Sequence, residues 1–195
     1  SGLRAVISGY QSIKLGEVKS VISGGQENMS LAPHSIFFRY NKKISEEQLV
    51  DTMISDGLID AFNNYHMGVT AENVAKKFNI SRDEQDDFAL NSQKKTEAAI
   101  GINRFDEELI KINQNGDIID KDEHPRKGIL KSDLQKLKTV FLNNGTVTPG
   151  NSSGINDGAA ALLLTTVEEA KKKSIDPLAK IISWASVGVD PALMG

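Results

Sequence analysis

Cysteine is absent from this sequence of 195 residues, histidine occurs three times and tryptophan once. Without cysteine there is no disulfide framework, no thiolate metal cluster and no thiol nucleophile. The histidines, His34, His66 and His124, are too dispersed to suggest a metal site. No Gly-x-Ser-x-Gly elbow and no His-Glu-x-x-His helix occurs, which removes two further catalytic schemes. No apolar run approaches the roughly 18 residues that a membrane span needs, so no membrane partner is expected. No secretory or transit leader is visible. Charge is nearly balanced, 23 basic against 26 acidic residues for a net −3. That balance argues against broad polyanion binding, nucleic acid included.

What is present suits a globular chain: 39% of residues are hydrophobic, enough for one ordinary core. The chain begins "SGLRAVISGYQSIKLG", where Leu3, Val6, Ile7, Tyr10 and Ile13 recur at helical spacing and Gly16 supplies the stop. Ser1 can serve as its cap, but the pattern reads as a helix whose first turn lacks an upstream strand. "VKSVISGG" reads as a short strand ending at the Gly24-Gly25 turn. Ser45 with Gln48, and Ser81 with Glu84, make capping-box pairs before "LVDTMI" and "DDFALNSQKKTEAAIG". "TAENVAKKF" places Ala71, Val74, Ala75 and Phe78 on one face, capped by Thr70. Asn115-Gly116 predicts a hairpin, "SDLQKL" one or two helical turns, and "AALLLTT" a strand followed by a helix that Thr166 caps. "AKIISWASVGV" is a last strand candidate. The order is helix, strand, long excursion, strand, helix, strand, an α/β signature whose excursion must fold as a lobe.

Three stretches invite a chemical reading. "GNSSGINDGAAALLL" packs small residues densely, as either a structural turn or a ligand loop requires. It is no phosphate loop, because no Gly-Lys-Ser follows and a strand comes next. In "YHMGVTAEN", His66 precedes a helix start beside Met67, where it either caps and packs or reaches into a cleft lined by Met67. In "GGQENMSLAPH" a double glycine hands over to a polar loop, at the kind of strand end where α/β sheets bind ligands or simply turn.

Taken in order, "SGLRAVISGYQSIKLGEV", "SGGQENMSLAPH", "DGLIDAFNNYHMGVTAENVAKKF", "SRDEQDDFALNSQ", "GTVTPGNSSGINDGAAALLL" and "SWASVGVDPALMG" resemble the thiolase family. The likeness is strongest to its acetyl-CoA acetyltransferase (acetoacetyl-CoA thiolase) branch. It covers essentially the whole chain, and the chain resembles the middle of a family member about twice as long. The implied fold is α/β, a partial thiolase-like fold: the N-terminal half with an inserted loop domain. Residues 1–25 and 151–176 would belong to that half, 26–150 to the loop domain and 177–195 to the start of the C-terminal half. The implied reaction is Claisen condensation or its reverse, in which one cysteine is acylated and a second removes a proton from acetyl-CoA.

By resemblance the first cysteine would lie about two residues before Ser1, and the second, with its supporting histidine, beyond Gly195. No catalytic residue and no metal ligand is therefore assigned in this chain. Substrate-side residues carried over by resemblance are His66, near the thioester, and Met67, lining the acyl pocket. Ser153 would contact the pantetheine amide, flanked by Pro149 and Ile155, and Arg126 would face the nucleotide end of CoA. Asp133 stands where the family commonly has a CoA-contacting serine, and an aspartate repels a polyanion. No cofactor is implied beyond CoA and acyl-CoA as substrates. The resemblance further implies a cytoplasmic homo-oligomer with a tetramerisation loop at about 34–48, where Ile36, Phe37 and Phe38 form an apolar patch. A β-ketoacyl synthase relative lacks the long loop domain with its His-Met-Gly motif. A non-catalytic CoA-binding or assembly module derived from the fold is the alternative.

Overall fold

The computed structural model describes residues 1–36 and 49–194. The expected capping box of Ser45 with Gln48, Phe37 and Phe38 of the apolar patch, and all of the tetramerisation loop beyond Ile36 lie outside those residues. Two compact units form: Ser1–Met53 with Ile155–Gly188, and Ile54–Gly154 with Val189–Gly195.

In the first unit, α1 (Gly2–Lys14) packs on β1 (Ser20–Glu27), which pairs antiparallel with β8 (Gly158–Thr165). Helix and sheet approach closely at Gly9, where a Cβ would run into the Ser23 hydroxyl, Val21 and Leu164. Ser1 occupies the cap position of α1 without a side-chain hydrogen bond. Leu3, assigned to the apolar stripe, is 86% exposed, so the packed face begins at Val6. The strand does not stop at the double glycine: Gly24 and Gly25 pair with Ala161 and Ala160, and pairing continues to Glu27 opposite Gly158. A small-residue partner strand accepts glycine in the ladder, and that overrides the local turn signal. β2 (His34–Ser35) pairs with β3 (Val50–Asp51), so "LVDTMI" begins as strand. A π-helix follows at Met53–Leu58. In the same unit, Thr166 accepts from the Glu169 N–H and caps α5 (Val167–Lys172), as its sequence position requires. The stretch 177–190 forms no strand; a strand needs a ladder partner, and none pairs with it among the described residues. Its Trp184 ring instead lies under the Arg4 guanidinium, 5.7 Å from the ring centre.

The second unit holds the longest helix among the described residues, of 20 residues. β4 (Ile59–Asp60) and β5 (Tyr65–His66) form a hairpin that leads directly into α2 (Met67–Phe78). α3 (Arg82–Gly101) follows, with the Ser81–Glu84 capping box formed as its sequence dictates. β6 (Ile112–Gln114) and β7 (Asp117–Ile119) make the expected hairpin, with Asn115 at φ 55° and Gly116 at φ 99°. Positive φ at both central positions is what Asn-Gly tolerates and most other pairs do not. α4 (Lys131–Gln135) packs on α3, burying Leu134 almost completely; Leu90, Ala75 and Val147 complete the buried apolar set.

Candidate functional site

α2 starts one turn earlier than its sequence suggests. The Gly68 N–H donates to His66 Nδ1 at 3.0 Å, so His66 is the cap and Thr70 lies inside the helix, its hydroxyl donating to the Met67 carbonyl. The β4–β5 hairpin delivers His66 to this position. Asp60 secures the hairpin by accepting from the Phe62 N–H and the Asn63 side chain, and these bonds hold its carboxyl below the usual range. The imidazole stacks on Phe141, with ring centres 4.7 Å apart and planes at 22°. A neutral ring that accepts at Nδ1 carries its proton at Nε2. Met67, half-buried, is the first residue of the helix.

The helix then buries an unexpected face. Ala71 and Phe78 are exposed, whereas Gly68, Thr70, Glu72 and Ala75 are buried. The Glu72 carboxylate accepts from the Thr146 N–H at 2.8 and 2.9 Å, from the Thr146 hydroxyl at 2.8 Å and from the Val147 N–H at 2.8 Å. From α3, the fully buried Asp86 accepts from Arg82 Nε at 2.8 Å and from the Asn151 side chain at 3.0 Å. The second amide hydrogen of Asn151 reaches the Thr146 carbonyl, while its Oδ1 accepts from the Thr148 N–H at 2.8 Å. The Ser152 hydroxyl donates to the Thr148 carbonyl at 2.8 Å. Two helices thus fasten the glycine-rich loop at 145–152 through charge-assisted bonds, which are stronger than neutral ones.

Beside this loop lies an open groove of about 310 Å³, lined by Phe88, Pro125, Arg126, Ile129 and Pro149 among others. The 124–130 segment is hung on α3 by its backbone: Gln93 accepts from the Arg126 N–H at 2.9 Å and Glu97 from the Gly128 N–H at 3.1 Å. Ser92, Gln93, Thr96, His124, Asn151 and Ser152 share the lining, so the groove is mixed in polarity, with Arg126 the one arginine or lysine in it. At the near end of α3, Lys131 bridges Asp83 at 3.0 Å and Asp87 at 2.7 Å. The aspartates raise its pKa, and Lys131 in turn lowers that of Asp83. Asp133, the departure from the expected serine, accepts from the Leu130 N–H at 3.1 Å and so begins α4.

The family model for the thiolase N-terminal domain matches residues 1–168. The chain belongs to the thiolase family. Its thiolase relatives include "Acetyl-CoA acetyltransferase" of Rhizobium meliloti (strain 1021), 51% identical over 100% of this chain and 51% of the relative. "Acetyl-CoA acetyltransferase, cytosolic" of Rattus norvegicus is 46% identical with the same coverage. The crystal structure of human mitochondrial 3-ketoacyl-CoA thiolase in complex with CoA matches at a TM-score of 0.89 and 35% identity, over 99% of this chain and 49% of that one. The fold is therefore α/β and a partial thiolase fold, and the chain spans about half the length of the curated relatives it matches.

Of the thiolase residues singled out in the sequence, Arg126 and Pro149 line one groove. Ser153 is exposed directly after the fastened loop, and His66 and Met67 sit together at the start of α2, outside that groove's lining. Ile155, 63% exposed, belongs to the other unit. Sequence reasoning passed over Glu72, Arg82, Asp86 and Asn151, which carry the loop. The available signal was weak: Arg82 and Asp86 are spaced i, i+4 on a helix, as ordinary surface ion pairs are.

Proposed function

We propose that this chain is the central portion of an acyltransferase that joins or cleaves acetyl-CoA units to and from acetoacetyl-CoA, an acetyl-CoA C-acetyltransferase. The alignment of its whole length with an acetyltransferase carries the reading. In Claisen chemistry of this kind a thiolate takes the acyl group, the thioester carbonyl becoming tetrahedral before CoA leaves as thiolate. A base then removes a proton from acetyl-CoA, and the carbanion attacks the acyl-enzyme, forming the C–C bond as the C–S bond breaks and the enzyme thiolate leaves. This chain has no cysteine, so alone it binds substrate without turning it over. His66, Met67, Arg126, Pro149, Ser153 and Ile155 are its proposed contacts to CoA and acyl-CoA, with no further cofactor. Residues 26–150 constitute the loop domain of the reading, and 34–48 the tetramerisation loop of a cytoplasmic homo-oligomer. Support for the location comes from the rat relative named as cytosolic. No helix among the described residues is long and apolar enough to cross a membrane. Self-association is further favoured by the exposed apolar side chains of the β1–β8 ladder, Ile22, Leu162 and Leu163.

The lack of cysteine favours one second reading, a non-catalytic CoA-binding or assembly module. Both readings meet in one experiment. The purified chain is expected to show no thiolysis of acetoacetyl-CoA, and to give a calorimetric heat with CoA that Ser153→Trp abolishes. Thiolase-like turnover would overturn the inactivity, and no heat would overturn CoA binding by the chain alone.

A further inference from the structure

The loop that precedes Ser153 is held from both sides by carboxylates on consecutive helices. Glu72 of α2 takes the N–H groups of Thr146 and Val147, and Asp86 of α3 takes the Asn151 amide that ties Thr146 to Thr148. Glu72 is 6% exposed and Asp86 0%. A buried carboxylate is costly unless its oxygens are hydrogen-bonded. Here every oxygen is bonded: Asp86 divides its two between Arg82 and Asn151, and Glu72 spends both on the loop. The Arg82 guanidinium also donates to the Leu134 and Leu137 carbonyls, so the anchor for Asp86 is itself fixed to α4 and the turn after it. Neither carboxylate lines the Arg126–Pro149 groove. Their hydrogen bonds end on the loop backbone and on Asn151, which itself lines that groove.

We infer that Glu72 and Asp86 are positioning residues, which hold the 146–152 backbone in one conformation and so present Pro149 and Ser153 to the CoA thioester without an ordering cost at binding. The ligand in this inference rests on the reading under Proposed function; the fastening of the loop does not. The effect belongs to affinity: a loop ordered before binding gives up little conformational entropy when ligand arrives, and a loosened one gives up more.

The test uses the full chain with CoA as the probe, and amide hydrogen exchange at 146–152 as a readout independent of ligand. Glu72→Gln keeps one accepting oxygen, Glu72→Ala keeps none, and Asn151→Ala leaves Asp86 with Arg82 should direct replacement of a carboxylate prevent folding. The expected result is loss of protection at Thr146, Val147 and Thr148. CoA affinity should fall about tenfold in Glu72→Gln and further in Glu72→Ala, and Asn151→Ala, which leaves one Asp86 oxygen without its donor, should lower the melting midpoint by several degrees while still folding. Unchanged protection in all three variants would overturn the inference. Lost protection with unchanged CoA affinity would overturn the positioning role and leave a structural one. If wild type gives no heat with CoA, the ligand reading fails, while the exchange data still decide whether the carboxylates order the loop.

Discussion

Replacing Gly68 with alanine tests the packing at the start of α2. Gly68 is buried, donates its N–H to His66, and lies so near Phe141 that a Cβ would collide with the ring at Cγ, Cδ2 and Cε2. Three ring atoms at once cannot be cleared by a rotamer change of a flexible tail; the ring itself has to move, and it is the ring stacked on His66. Overpacking of this kind costs about 1–3 kcal/mol, and the lost aromatic pair about 1 kcal/mol more. Alanine recovers about 1 kcal/mol through its helix propensity. The expected net loss is about 2 kcal/mol, read as a lower urea midpoint at unchanged m-value. Gly101→Ala is the matched control: it ends α3, and a Cβ there meets no atom within 4 Å. That variant should be neutral or more stable by about 0.5 kcal/mol. A Gly68→Ala chain at or above wild-type stability would refute the close approach. Equal losses at both sites would show that packing is not the cause.

Acid should loosen the start of α3 early. Glu84 is held below its usual pKa by bonds from the Ser81 N–H and hydroxyl, and Asp83 by Lys131. A depressed folded-state pKa means a contribution present above about pH 4 and lost as pH falls through the lower folded value. Ser81→Ala, which keeps the N–H and loses the hydroxyl, should therefore flatten part of the acid limb of helix stability followed by circular dichroism, and an unaltered limb would contradict the hydroxyl's share in holding Glu84. At the alkaline end Lys131, raised by Asp87 and Asp83, contributes fully below its unfolded value near 10.4 and loses that contribution above it. In the β6–β7 hairpin, Asn115→Ala has to keep φ near 55° without asparagine's tolerance, at a cost of about 1 kcal/mol. Hydrogen exchange across 112–119 should rise, and no rise would argue against the positive-φ turn.

Much of this architecture was legible because its signals are local. The Ser81–Glu84 and Thr166–Glu169 caps and the Asn115-Gly116 turn each bring their partners within three residues. Errors fell where the deciding partner is remote. β1 runs through Gly24 and Gly25 because Ala160 and Ala161 pair with them from far along the chain, and 177–190 is apolar enough for a strand but finds no ladder among the described residues. For His66, sequence left cap and cleft both open; the structure assigns Nδ1 to the cap and displaces Thr70 from that role. Glu72 and Asp86 escaped notice because charged residues on helices normally face water, and only a loop more than sixty residues away makes them interior.

The way the 124–130 segment hangs on α3 separates two things that usually change together. Gln93 and Glu97 grip main-chain N–H groups, which are the same whatever side chain projects from position 126. Among the described residues no ion pair engages the Arg126 guanidinium. Descendants of such a chain are free to exchange arginine for lysine, glutamine or a neutral residue there, retuning the charge of the groove while the suspended backbone stays where it is.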